Sequence, residues 1–76
     1  MNILLETLKA CVNNKEAYFK VVKTKKSGNK LIVSKYENLP YYEIVLTEDN
    51  SNHIIKTYNK LSAYDCYDLI INLKES

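Results

Sequence analysis

The chain is expected to be an α+β protein: an N-terminal helix, a four-stranded antiparallel sheet running as a meander, and a C-terminal helix (α-β-β-β-β-α). Three observations predict it. Apolar residues recur at helical spacing at both ends of the chain. Between them lie four runs rich in Tyr, Val, Ile and Thr with two-residue alternation. The breaks between those runs are short and polar, which makes neighbouring strands antiparallel. A length of 76 residues accommodates one domain, 1–76.

The first helix is expected over 3–12, with Asn2 as its N-cap. Leu4, Leu8, Cys11 and Val12 fall at i, i+4, i+7 and i+8, with Leu5 on the flank. Asn13-Asn14 is a suitable stop, because Asn tolerates the left-handed conformation found at helix ends. Strand one is expected over 17–24 and strand two over 30–37, joined by Lys25-Lys26-Ser27-Gly28-Asn29, a hairpin-turn composition. Asn38-Leu39-Pro40 is the next break, since Pro40 forces Leu39 to be extended. Strands three and four are expected over 41–48 and 53–58, around the polar turn Asp49-Asn50-Ser51-Asn52. Ser62 caps the second helix with Asp65 at N3, a capping-box variant, and Leu61 and Cys66 form its hydrophobic staple. Cys66, Leu69, Ile70 and Leu73 make its buried stripe, and Asp65, Asp68 and Lys74 complement its dipole.

Strand alternation sorts the sheet into two faces. Phe19, Val21, Leu31, Val33, Tyr42, Ile44, Leu46 and one of Ile54 or Ile55 are expected to form the core face. Tyr18, Lys20, Val22, Ile32, Ser34, Tyr36, Tyr41, Glu43 and Val45, with Lys56 and Tyr58, fall on the other. That second face mixes tyrosine with lysine, which is unlike either a core or an ordinary solvent face. Such a patch marks an interface when it is exposed, because Tyr brings large area at small entropic cost.

Composition excludes several classes. Apolar residues are 46% of the chain and charged residues 26%, a globular balance. The longest apolar run is far short of the ~20 residues that span a bilayer, and Asn2 and Glu6 stand where a signal peptide needs a basic start, so a cytoplasmic location is expected. Gly28 is the only glycine, which leaves no phosphate-cradling or dinucleotide-binding loop. Every one of the eleven cations is Lys; a sequence-specific DNA reader lacking the flat guanidinium fork is improbable. The charge is asymmetric, +6 over 1–35 and −4 over 36–76, so the first half is a basic lobe. Cys11 and Cys66 are too few and too far apart for a disulfide framework or a zinc site, and buried thiols are expected.

Two constellations stand out. Lys20, Lys23, Lys25, Lys26, Lys30 and Lys35 cluster on the first hairpin; they suit phosphate or an acidic protein groove, or simply keep an edge strand solvated. Tyr18, Tyr36, Tyr41 and Tyr58 suit a protein interface or base stacking. The partner-binding candidates are therefore Tyr18, Lys20, Lys23, Lys25, Lys26, Lys30, Tyr36, Tyr41 and Tyr58. His53 is the sole histidine, with only turn residues Asp49 and Ser51 nearby in sequence, and no catalytic motif includes it. Asp49-Asn50-Ser51-Asn52 lacks the central glycine and terminal glutamate of a calcium loop. No catalytic residue, cofactor or metal is expected.

Lys, Asn, Ile and Tyr share AT-rich codons, which fits a low-GC bacterium, its phages or its plasmids. In size, composition and lack of catalytic groups the chain resembles accessory proteins of phages and mobile elements, among them the anti-CRISPR inhibitors. That resemblance implies a small non-enzymatic protein that docks on a larger cytoplasmic host protein, or protein–nucleic acid complex, and blocks it. Two alternatives use the same surface: a nucleic-acid-binding domain, and a homodimeric accessory protein. No membrane partner is expected.

Overall fold

A computed structural model describes residues 3–75. The elements follow the order α1 (Ile3–Asn14), β1 (Tyr18–Lys23), β2 (Lys30–Lys35), β3 (Tyr42–Thr47), β4 (Ile54–Leu61) and α2 (Ala63–Lys74). The sheet order is β1-β2-β3-β4, all antiparallel, so the meander and the α-β-β-β-β-α architecture are as the sequence implies. The expected Asn2 cap lies outside the described residues.

Both helices pack on one face of the sheet. Leu8 and Cys11 from α1 and Cys66 and Ile70 from α2 are buried against Leu31, Val33, Tyr42 and Ile44. The helical stripes are therefore those the spacing indicates, because a helix must bury one side against the sheet. Tyr42 is the largest fully buried side chain. Its hydroxyl donates to the Leu8 carbonyl at 2.6 Å, and its ring meets that of Tyr18 edge-on at 5.6 Å. This satisfies the only polar atom of the ring and ties β3 to α1.

Helix ends follow local chemistry. The Ser62 side chain accepts from the Asp65 N–H at 3.1 Å, as the capping pattern requires. The α1 stop differs from expectation: Lys15, rather than an asparagine, takes the left-handed conformation at φ 58°. The Lys15 N–H donates to Val12 O and that of Glu16 to Cys11 O, the paired bonds of a Schellman ending.

The two sheet faces differ from expectation in one strand and part of another. Tyr18, Lys20 and Val22 pair with Lys35, Val33 and Leu31, which puts them on the helix side; Phe19 and Val21 pair with Ser34 and Ile32 and point away. The physical reason is register. Leu31 and Val33 must face the core, and the Thr24–Asn29 loop, closed by Thr24 N–H to Asn29 O at 2.8 Å, sets which β1 residues oppose them. A slip of one residue exchanges every side chain between faces. β1 is also an edge strand, where the helix side is only half covered, so hydrophobicity selects its parity weakly. In β4, Tyr58 and Lys56 pair with Ile44 and Leu46 and lie on the helix side, whereas Ile54 pairs with Thr47. Two irregularities in this pairing, with Lys60 left-handed at φ 56° beside one of them, shift the alternation that a regular strand would keep.

Candidate interaction face

The side of the sheet turned away from the helices has no covering element among the described residues. Its residues form three rows across the strands: Phe19, Ser34 and Glu43; then Val21, Ile32, Val45 and Thr57; then Lys23, Lys30, Thr47 and Ile54. Phe19 is 71% exposed, Ile54 55% and Val21 47%. Ile32 and Val45 are half-buried by their neighbours and lie outside the core cluster. The middle row is thus an aliphatic stripe with Glu43 on one side and two lysines on the other.

The nine expected partner-binding residues do not share one surface. Tyr18 is half-buried against Tyr42, its hydroxyl pKa raised mainly by burial. Tyr58 is half-buried on the helix side, with the Lys56 ammonium 5.0 Å from its ring centre. Lys20 is exposed on the helix side of edge strand β1. Tyr36 and Tyr41 flank the β2–β3 connection, where Asn38 takes φ 67°. Both are exposed and line a cleft of about 220 Å³ together with Ser34, Leu39, Glu43 and Lys60.

The basic hairpin is partly engaged within the fold. Lys23 pairs with Asp49 at 3.3 Å and Lys25 with Glu75 at 3.1 Å. The Lys25 N–H also donates to Lys74 O at 2.8 Å, tying the turn to the end of α2. Gly28 sits at φ 74°, and a side chain there would meet the Asp49 carboxylate at 3.3 Å. Lys26 and Lys30 enter no ion pair among the described residues. Lys35 is 3% exposed; its ammonium donates to Glu16 O at 2.7 Å and Tyr36 O at 3.1 Å. It therefore joins the α1–β1 and β2–β3 connections instead of contributing to the basic surface.

The groups around His53 serve the β3–β4 turn. Ser51 Oγ accepts from the His53 N–H at 3.2 Å and donates to the Glu48 carboxylate at 3.2 Å, while the Glu48 N–H donates to His53 O. Cys11 and Cys66 are free thiols in the core, and burial pushes Cys66 up to about 12. Among the described residues no three His, Cys, Asp or Glu side chains are grouped to hold a metal ion, and no helix is long and apolar enough to cross a membrane.

Sequence reasoning placed Ile32, Ser34, Glu43 and Val45 on this face but missed its apolar character, because it assigned Phe19 and Val21 to the core and the tyrosines of β1 and β4 to the open side. The signal that could have located it was the loop length between β1 and β2, which sets the register. The architecture defines a two-layer α+β domain with one open sheet face. No protein-family model, no curated protein and no solved structure matches the chain.

Proposed function

We propose that the protein is a non-enzymatic binding protein whose contact surface is the open sheet face, flanked by the lysine hairpin and the tyrosine-bearing β2–β3 connection. One observation carries this reading: a full side of the sheet presents Phe19, Val21, Ile32, Val45 and Ile54 with no element over it among the described residues. A contiguous apolar patch rimmed by polar residues is the usual character of an interaction site. The protein acts by occupying a surface of a larger protein and thereby blocking it, as the resemblance to phage accessory inhibitors implies. A polynucleotide is the second reading, supported by Lys26 and Lys30, two unpaired cations at one edge of that face.

The test is capture of partners from a lysate of the source cell, with and without nuclease, using wild type and a Phe19→Ser/Ile54→Ser variant. A discrete protein retained after nuclease and lost with the variant is the expected result. Equal retention by both proteins refutes the face as the contact surface. Retention that disappears with nuclease, and a salt slope near the number of contacting lysines, would favour the polynucleotide reading.

A further inference from the structure

Building on the open face as the contact surface, we infer that in the absence of that larger partner it pairs with a second copy of this chain, the two sheets packing face to face with their strands antiparallel. The charge pattern carries the inference. Glu43 stands in the row on one side of the aliphatic stripe, and Lys30 stands in the row on the other, beside Lys23, which is already paired with Asp49. A two-fold axis running along the middle row, across the strands, turns one copy over onto the other. Ile32 and Val45 then meet their own symmetry mates, and Glu43 of each copy comes over Thr47 of the second copy, one strand away from its Lys30. A two-fold axis along the strands would instead set each lysine row against itself, and like charges across an interface are costly. The pattern is thus self-complementary in one orientation, as an isologous contact requires.

The chain ends of the strands agree with that orientation. The β1–β2 turn with Lys25 and Lys26 lies at one end of the sheet, and the β2–β3 connection with Tyr36 and Tyr41 lies at the other. Turning the second copy end for end brings the exposed Lys26 toward the other copy's tyrosine cleft, where Tyr36, Tyr41 and Glu43 stand beside Lys60, while Lys25 stays paired with Glu75 at the end of α2. Aligned sheet packing of this kind places the layers ~10 Å apart.

The area sets the strength. Four strands ~4.8 Å apart and six residues long at ~3.4 Å each present roughly 400 Å² per copy. The total of roughly 800 Å² lies below the ~1,000 Å² of a standard specific interface, so the contact is a weak one. Weak association, visible only at high protein concentration, is therefore expected.

The experiment is sedimentation equilibrium of the full chain from about 10 µM to about 1 mM at low salt. A monomer–dimer equilibrium is expected. Glu43→Lys and Lys30→Glu should each weaken it about tenfold, and the double exchange should restore it to within about threefold, since the pairs are re-formed across the axis. Circular dichroism on each variant reads folding separately. A wild-type monomer at the highest concentration overturns the second copy as occupant and leaves the face open to a different protein, which the capture experiment detects. A dimer that is indifferent to both charge exchanges and to Phe19→Ser places the self-contact elsewhere and overturns the inference, while the underlying reading still stands or falls with the capture experiment.

Discussion

Tyr42 joins the helical layer to the sheet through one atom, and removing that atom alone isolates the junction. Tyr42→Phe keeps the buried ring and its edge-on contact with Tyr18 but deletes the hydroxyl that donates to Leu8 O at 2.6 Å. The Leu8 carbonyl stays inside α1, where interior carbonyls also accept a helical bond, so the loss is one hydrogen bond without an orphaned acceptor. That costs about 1 kcal/mol. For a domain of this size total stability is roughly 4–11 kcal/mol, so the variant folds, with its thermal midpoint lowered by about 4–8 °C.

The pH dependence provides a second signature. Burial, with smaller contributions from the neighbouring thiols, raises the Tyr42 hydroxyl pKa well above its ordinary value near 10. A raised folded pKa means that the folded state holds the proton more tightly. This contribution is complete below the unfolded pKa and is lost as pH rises from there toward the folded value. Wild type therefore forfeits about 1.4 kcal/mol by about pH 11 that Tyr42→Phe does not. The variant should be the less stable protein at neutral pH, draw level with wild type between about pH 10 and 11, and be slightly the more stable by about pH 11. Urea denaturation followed by far-UV circular dichroism measures both. Identical stabilities at neutral pH would show that the hydroxyl bond is not made. A gap that stays constant into alkali would show that the phenol is not held neutral by the fold.

Three further outcomes follow from the same packing. Phe19→Ser should leave the folding midpoint of the monomer within about 0.5 kcal/mol of wild type, whereas Val22→Ser should cost about 1–2 kcal/mol; the reverse order would restore the parity that the alternation of β1 suggests. Lys15→Gly should raise stability by about 0.5–1 kcal/mol, because a side chain at φ 58° is strained where glycine is not, and an unchanged midpoint would refute the left-handed ending of α1. Cys66, fully buried with its pKa pushed up to about 12, should resist thiol reagents at neutral pH until denaturant unfolds the chain; prompt labelling of the native protein would contradict its place in the core.

Much of this architecture is written locally. Six elements, their order, the Ser62 cap and the buried stripes of both helices follow from spacing, because each depends on neighbours within a turn or two of chain. The strand faces of β2 and β3 follow as well, since Leu31, Val33, Tyr42 and Ile44 alternate unambiguously with less apolar residues. β1 carries apolar residues at both parities, Tyr18 and Val22 on one and Phe19 and Val21 on the other. Its facing depends on pairing with β2 across a six-residue loop, a constraint that the alternation within β1 does not encode. Likewise, Lys35 reads as one more cation of a basic lobe until the fold brings two carbonyls to its ammonium. Spacing and turn chemistry settle which segments become helix or strand; register and packing settle which side of the sheet is left bare, because a single-residue shift of one edge strand moves its side chains from one solvent environment to the other.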